Sequence, residues 1–213
     1  MKKILIFVDR DGTLIYDKKY YLGSQNNWKS KVKFLPYVIR GLKLLNKNLN
    51  PNIYMITNQP GVAIKNFPLL TLEKAHEVSL YVMKLLEKKG VFLKGYDVCG
   101  KAHLSYARKR SEFEFDKKLI GNFSCIKPKP GMINIILKNE KLNKEQIKIY
   151  VIGDRFSDVK TALNAKGCGI MVPFKNEKGE KEKVRRLNSK NKYIAKNFLG
   201  AAKIIINREN YSE

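Results

Sequence analysis

Short apolar runs alternate with stretches of helical period along most of the chain. Residues 4–8 form a continuous apolar run that stops at Asp9, the pattern of a strand buried on both faces. Val38, Leu42 and Leu45 recur at helical spacing after Pro36, and residues 53–56 predict a second strand. Thr71 stands where it can cap a long helix through Ala75, Val78, Val82, Leu85 and Leu86, ended by Gly90. Residues 96–99 predict a third strand. Met132, Ile135 and Ile136 mark another helix, with Pro130 near its first turn. A strand over 149–152, a helix through Val159, Ala162 and Leu163 stopped by Gly167, and a strand over 169–172 follow. Phe198, Leu199, Ala202, Ile205 and Ile206 predict a closing helix. This β-α-β-α order predicts an α/β fold with a parallel sheet covered on both faces.

Two stretches break the rhythm. Residues 17–33 are polar, aromatic and basic, and residues 100–124 are charged and irregular. Loops this long inside a compact domain are usually functional or disordered. Residues 175–192 carry the run Lys-Gly-Glu-Lys-Glu-Lys and read as a solvated surface excursion. No internal repeat or second domain is visible, so residues 1–213 are expected to form one domain. A chain this long buries about 70% of its unfolded surface and needs no staples.

Composition excludes more than it assigns. Hydrophobic residues at 44% and charged residues at 29% are ordinary for a globular domain and rule out wholesale disorder. No apolar run approaches the ~18–20 residues of a membrane span. The basic start Met1-Lys2-Lys3 precedes an apolar run too short for a signal peptide. Cys99, Cys125 and Cys168 are too few and too scattered for a disulfide framework, so a reducing cytoplasm is the expected setting. The net charge of +24 would attract phosphates or nucleic acid. Its makeup, 35 Lys against 8 Arg with 19 Asn, equally fits a compositional bias with no binding role, since phosphate forks favour Arg.

Four polar clusters follow predicted strands or open predicted helices. Asp9-Arg10-Asp11-Gly12-Thr13 follows the first strand, and Thr57-Asn58-Gln59-Pro60-Gly61 follows the second. Lys127-Pro128-Lys129-Pro130-Gly131 opens a helix, and Gly153-Asp154-Arg155-Phe156-Ser157-Asp158 follows the strand over 149–152. Each has a plain reading: a hairpin turn at Asp11-Gly12, a loop at 57–61, solvated lysines at 127 and 129, a helix cap at Asp154 or Ser157. Strand ends in an open parallel sheet share one crevice, however, and all four clusters fall on it. The chemistry fits as a set. Asp9 and Asp154 suit one Mg²⁺, which prefers carboxylates, water and phosphate oxygens. Asp9 is placed to attack phosphorus, and Asp11 to protonate the leaving oxygen and then activate water. Thr57 suits the phosphoryl oxygens, and Lys127 the charge of the transition state.

This set, Asp9-x-Asp11-Gly12-Thr13, Thr57-Asn58, Lys127 and Gly153-Asp154-x-x-x-Asp158, resembles the four motifs of haloacid dehalogenase-like phosphatases across about residues 3–206. The resemblance implies a Rossmann-like three-layer sandwich with a mainly parallel sheet, and Mg²⁺-dependent hydrolysis of a phosphomonoester. It assigns Asp9 as nucleophile, Asp11 as acid/base, Asp154 as metal ligand, and Thr57, Asn58 and Lys127 as phosphate holders. The backbone carbonyl of Asp11 would also reach the metal, with Asp158 supporting it from behind. Gln59, Gly61, Lys129 to Met132 and Arg155 are similar to the group of heptose 1,7-bisphosphate, histidinol-phosphate and polynucleotide 3′-phosphatases, which carry little or no cap domain. Loops 17–33 and 100–124 would then shape the substrate site, with Arg10, Gln59, Lys129 and Arg155 as substrate contacts. A small phosphorylated metabolite is the expected substrate.

The departures are specific. Related enzymes place a Cys-x-His and Cys-x-Cys zinc loop before the Lys-Pro motif, whereas Lys101 and Phe123 occupy two of those places here. Cys99, His103 and Cys125 remain candidate ligands of a degenerate zinc site; two buried cysteines and a surface histidine are the competing reading. Ile126 stands where an Arg is usual, and Lys129 is the candidate substitute. In the first long loop Tyr20, Tyr21 and Trp28 interleave with Lys18, Lys19, Lys29, Lys31 and Lys33. That suits stacking on bases with lysines on phosphates; packing of the aromatics onto the domain is the competing reading. A basic nucleic-acid-binding protein on an inactive phosphatase fold is the non-enzymatic alternative, and it has no need of the four acidic and basic site residues.

Overall fold

Leu5 and Phe7 pack on one side of the first strand, Ile6 and Val8 on the other, and all four are fully buried. In a computed structural model, which describes residues 2–16, 21–174 and 179–211, that strand is the centre of the molecule. The strands are β1 (Lys3–Val8), β2 (Asn52–Asn58), β3 (Gly95–Cys99), β4 (Ile147–Gly153), β5 (Cys168–Met171) and β6 (Lys192–Ile194). They form one sheet in the order β3-β2-β1-β4-β5-β6, and every neighbouring pair is parallel. The register sets Val8 beside Met55 of β2 and Ile152 of β4, so the chain leaves all three strands toward one end. The sheet order reverses at β1, which places a crevice beside its carboxyl end.

Helices cover both faces. On one, α2 (Val38–Leu49), α3 (Leu72–Glu87) and α8 (Phe198–Asn210) bury Leu42, Val82, Leu86, Ala202 and Ile205 against Ile6, Val8 and Met55. On the other, α5 (Gly131–Asn139) and α6 (Phe156–Asn164) pack Met132, Ile133, Ile136 and Ala162 against Leu5, Phe7 and Val151. This is the α/β three-layer arrangement that the alternation predicts. Thr71 caps α3, its hydroxyl accepting from the Lys74 N–H at 3.1 Å. One helical position departs from expectation. Ile135 faces solvent at 46% exposure, because the buried stripe of α5 runs through Met132, Ile133, Ile136 and Leu137.

The segments without apolar rhythm are more structured than their composition suggests. Residues 17–20, with Lys18, Lys19 and Tyr20, lie outside the described residues, as do Met1 and residues 175–178. Beyond them the first insertion holds a short helix, α1 (Trp28–Lys31), whose Trp28 is buried edge-on to Tyr81 of α3 at 5.2 Å. The second insertion contains α4 (Leu104–Arg108), is closed on itself by a bridge from Ala102 to Ile120, and is tied to the rest of the fold by a bridge from Ile64 to Phe115. The stretch expected to be a solvated excursion is exposed or half-buried over its described residues apart from Val184, but it carries a helix, α7 (Glu180–Arg185), and leads into β6. One apolar side chain suffices: Val184 is fully buried against Val159 and Met171. Among the described residues no helix is long and apolar enough to cross a membrane.

Candidate active site

The β1 carboxyl end delivers Asp9 into a buried charge cluster. Its backbone N–H donates to the Ile152 carbonyl at 2.9 Å, continuing the ladder one residue past the strand. The Lys127 ammonium lies 2.5 Å from Asp9 Oδ1 and 2.5 Å from Asp158 Oδ1, with all three side chains nearly inaccessible. Lys127 is placed by its own backbone, whose N–H donates to Asn58 Oδ1 at 3.1 Å. Asp158 is committed on both oxygens: Oδ1 to Lys127, and Oδ2 to the Arg155 N–H at 3.0 Å, where it caps the start of α6. Two glycines make the packing possible. A Cβ on Gly12 would stand 2.4 Å from Asp154 Oδ2, and Gly12 holds φ +86°; a Cβ on Gly153 would stand 2.2 Å from the Asp158 side chain.

Asp9, Asp154 and Asp158 each bring a carboxylate oxygen within 4.8 Å of the others. Asp154 Oδ1 is buried with no hydrogen-bond partner. Burial pushes the Asp9 carboxyl up to about 7, with Asp158 and Asp11 adding repulsion against the pull of Lys127. Burial, then Asp9 and Asp158, push Asp154 up to about 9. Burial opposes the Lys127 charge, but Asp158 and Asp9 outweigh it and raise its pKa. The Lys127 ammonium is paired with two of the three crowded carboxylates, and Arg155 Nε lies 3.8 Å from the third, Asp154. A small divalent cation would suit this set, since Mg²⁺ is held by one or two carboxylates with water and phosphate oxygens. Asp9 and Asp154 are the donors that fit it, because Asp158 is already committed.

These groups form the floor of a cleft of about 760 Å³. Thr57 lines it, its hydroxyl accepting from Gln59 Nε2 at 2.7 Å. Gln59 Nε2 also donates to Asp11 Oδ2 at 2.6 Å. Asp11 lines the cleft but stands outside the carboxylate cluster, gripped by Arg10 through Nη2 at 2.9 Å and Nε at 3.1 Å. The Asp11-Gly12 turn is not a hairpin, because β1 pairs only with parallel neighbours. Asn58 and Arg155 line the cleft as expected.

Two expected substrate contacts are corrected. Arg10 is fully buried between Asp11 and the Ser79 hydroxyl, so it orients Asp11 and does not reach the cleft. Lys129 turns its ammonium to the Asn122 carbonyl at 2.9 Å and does not line the cleft. The zinc expectation is corrected too. Cys99 and Cys125 are joined in a disulfide, which removes both thiolates, and His103 is an exposed cap of α4 bonded to Ser105. Trp28 is enclosed by its own loop and α3, so it offers no face to a base. Sequence reasoning singled out Tyr21 but missed Tyr106 and Arg110, which complete the far wall of the cleft. There Tyr21 and Tyr106, one from each insertion, share a hydroxyl–hydroxyl hydrogen bond of 2.8 Å, and Arg110 lies 4.0 Å over the Tyr106 ring. The only signal was an aromatic and an arginine in loops with no recognisable pattern.

Comparison with known proteins agrees with this geometry. A family model described as HAD-hydrolase-like matches residues 124–201. The histidine biosynthesis bifunctional protein HisB of Buchnera aphidicola subsp. Schizaphis graminum is 29% identical over 82% of this chain and 42% of its own length. The protein of the same name from Blochmanniella floridana is 31% identical over 80% of this chain and 41% of its own. The chain thus spans about two fifths of the length of these curated relatives. In fold it is similar to the D,D-heptose 1,7-bisphosphate phosphatase of B. bronchiseptica, solved with magnesium and phosphate. That likeness has a TM-score of 0.69 at 16% identity over 98% of this chain and 99% of the other.

Proposed function

We infer, for a chain that belongs by fold and motif set to the haloacid dehalogenase-like hydrolases, that it hydrolyses a phosphomonoester through an aspartyl-phosphate on Asp9. One observation carries this reading: Asp9, Asp154 and Lys127 meet at the floor of one cleft, with Asp11 beside them. Mg²⁺ held by Asp9 and Asp154 would supply positive charge to offset carboxylate and phosphate repulsion. Asp9 attacks phosphorus, the P–O bond to the ester oxygen breaks, and Asp11 gives that oxygen its proton. Water then attacks the phosphorus of the aspartyl-phosphate, passing a proton to Asp11, and the Asp9–phosphorus bond breaks to release phosphate. Thr57 and Lys127 hold the phosphoryl oxygens through both steps. Arg10 and Gln59 keep Asp11 aimed at the ester oxygen, and Asp158 keeps Lys127 in place.

The substrate is a small phosphorylated metabolite, of the histidinol-phosphate or sugar-bisphosphate kind. The names of the relatives and of the structural neighbour support that class. Residues 21–33 and 100–124 shape its site, since Tyr21, Lys31, Tyr106 and Arg110 line the cleft. For a polynucleotide 3′-phosphatase, buried Trp28 offers no support, Lys18, Lys19 and Tyr20 lie outside the described residues, and what speaks for it is the +24 charge with Tyr21 and Lys31 in the cleft.

The test is Mg²⁺-dependent phosphate release from histidinol phosphate, a sugar bisphosphate and a 3′-phosphorylated oligonucleotide, with Asp9→Asn as control. Release from a small ester, lost in Asp9→Asn, is the expected result. No release from any of them by folded protein would favour a binding module on this fold.

A further inference from the structure

We propose that Arg110, with Arg155, forms a second anion subsite in the cleft, which selects a small substrate carrying a phosphate besides the one hydrolysed. This rests on the phosphatase reading above and adds a specificity residue from the second insertion.

Arg110 is held as a built feature. Its N–H donates to the Ala107 carbonyl at 3.0 Å, and its carbonyl accepts from the Phe113 N–H at 3.1 Å, so the turn after α4 fixes its backbone. Its guanidinium lies 4.0 Å over the half-buried Tyr106 ring. A stacked guanidinium keeps its in-plane N–H groups available for a planar or tetrahedral anion, at low cost in side-chain freedom. Tyr106 is itself fixed by its hydroxyl bond to Tyr21, and Tyr21 packs on Phe67 at 4.8 Å. The two insertions thus brace one another around the arginine.

Arg155 comes from the opposite source, the turn between β4 and α6. Its Nε lies 3.8 Å from Asp154 Oδ2, and it lines the same cleft as Tyr106 and Arg110. Lys31 lines the same cleft. Glu112, which is exposed, is the one carboxylate among the cleft residues of this insertion. On the wall built by the two insertions Lys31 and Arg110 face Glu112, while Arg155 at the edge of the floor is paired with Asp154, a balance that favours an anionic remainder of the substrate over a cationic one. A cleft of about 760 Å³ is also larger than a phosphate needs. It has room for an ester whose second phosphate sits on Arg110 while the first sits on Lys127.

The experiment compares kcat/KM for a hexose bisphosphate and the matching hexose monophosphate, in the parent protein, Arg110→Ala and Arg110→Lys. The parent should prefer the bisphosphate by about 10–100-fold, the range for a charge-assisted contact of a few kcal/mol. Arg110→Ala should bring the ratio toward one, mainly through KM, and Arg110→Lys should restore part of it. A ratio within one protein does not depend on the folded fraction. A ratio unchanged in Arg110→Ala, with phosphate release intact, overturns the subsite alone. Preference for an amino-alcohol phosphate, dependent on Glu112, overturns it in favour of a cationic remainder. Arg110 dependence confined to a 3′-phosphorylated oligonucleotide overturns the small-substrate assignment. Absence of release from every ester removes the phosphatase reading and the subsite with it.

Discussion

A methyl group at Gly12 would fall 2.4 Å from Asp154 Oδ2, in backbone that side chains rarely adopt. Gly12→Ala should therefore displace the Asp154 carboxylate. Phosphate release should fall by at least about 10²-fold, as expected when reacting groups lose alignment by an ångström. Mg²⁺ should also stop raising Tm in that variant, which calorimetry reads without any substrate. The carboxylates make a second prediction through pH. Asp9, raised from 3.8 to about 7, and Asp154, raised from 3.8 to about 9, keep protons in the folded chain that the unfolded chain has lost. The folded state then binds more protons between pH 4 and 9, so its stability falls as pH rises through that window. Chelator-treated protein should show Tm dropping from pH 5 to pH 9. Mg²⁺ should stabilise more at the high end, where it competes with fewer protons. A chelated protein whose Tm is flat over that range would sink the crowded-carboxylate description.

Among the elements, legibility followed hydrophobic period. β1 to β5 and α2, α3, α5, α6 and α8 carry apolar residues at strand or helix spacing, and each lies close to its expected place. α1, α4, α7 and β6 have no such signature. They are short, at most six residues each, and owe their place to tertiary contacts, such as Val184 under α7 and the pairing of β6 with β5. The same division runs through the site. Asp9, Thr57, Lys127 and Asp154 converge because they stand at strand ends or open a helix, which a sequence displays. Whether Arg10 faces the cleft or the core depends on Ser79, which lies 69 positions away. The pairing of Cys99 with Cys125 joins the end of β3 to the loop bearing Lys127. It closes a loop of sequence separation 26, for which chain entropy gives about 3.5 kcal/mol. Replacing both cysteines by serine should lower Tm under non-reducing conditions, and a reductant should then have no further effect. Equal Tm values for the two proteins would mean the bond does not form.

The whole molecule carries +24, far beyond what its cleft requires. A charge made mostly of lysine, with no aromatic face at Trp28, predicts nucleic-acid binding that is non-specific and steeply salt-sensitive. Anisotropy with a labelled single-stranded oligonucleotide should show affinity falling by roughly 10³-fold between about 50 and 200 mM salt, with no sequence preference. Binding that survives that change would make the charge part of the function.

The position of β1 at the middle of the sheet also has a consequence in time. Its register joins Lys3 to Ile147 and Val8 to Ile152, so one flank is completed only after 144 further residues have been made. At about 5–20 residues per second, a growing chain leaves that apolar strand incompletely paired for roughly 7–30 s. The strand that presents Asp9 is thus made well before one of its two neighbours and is enclosed late. Through that interval its exposed edge is a natural ligand for a chaperone.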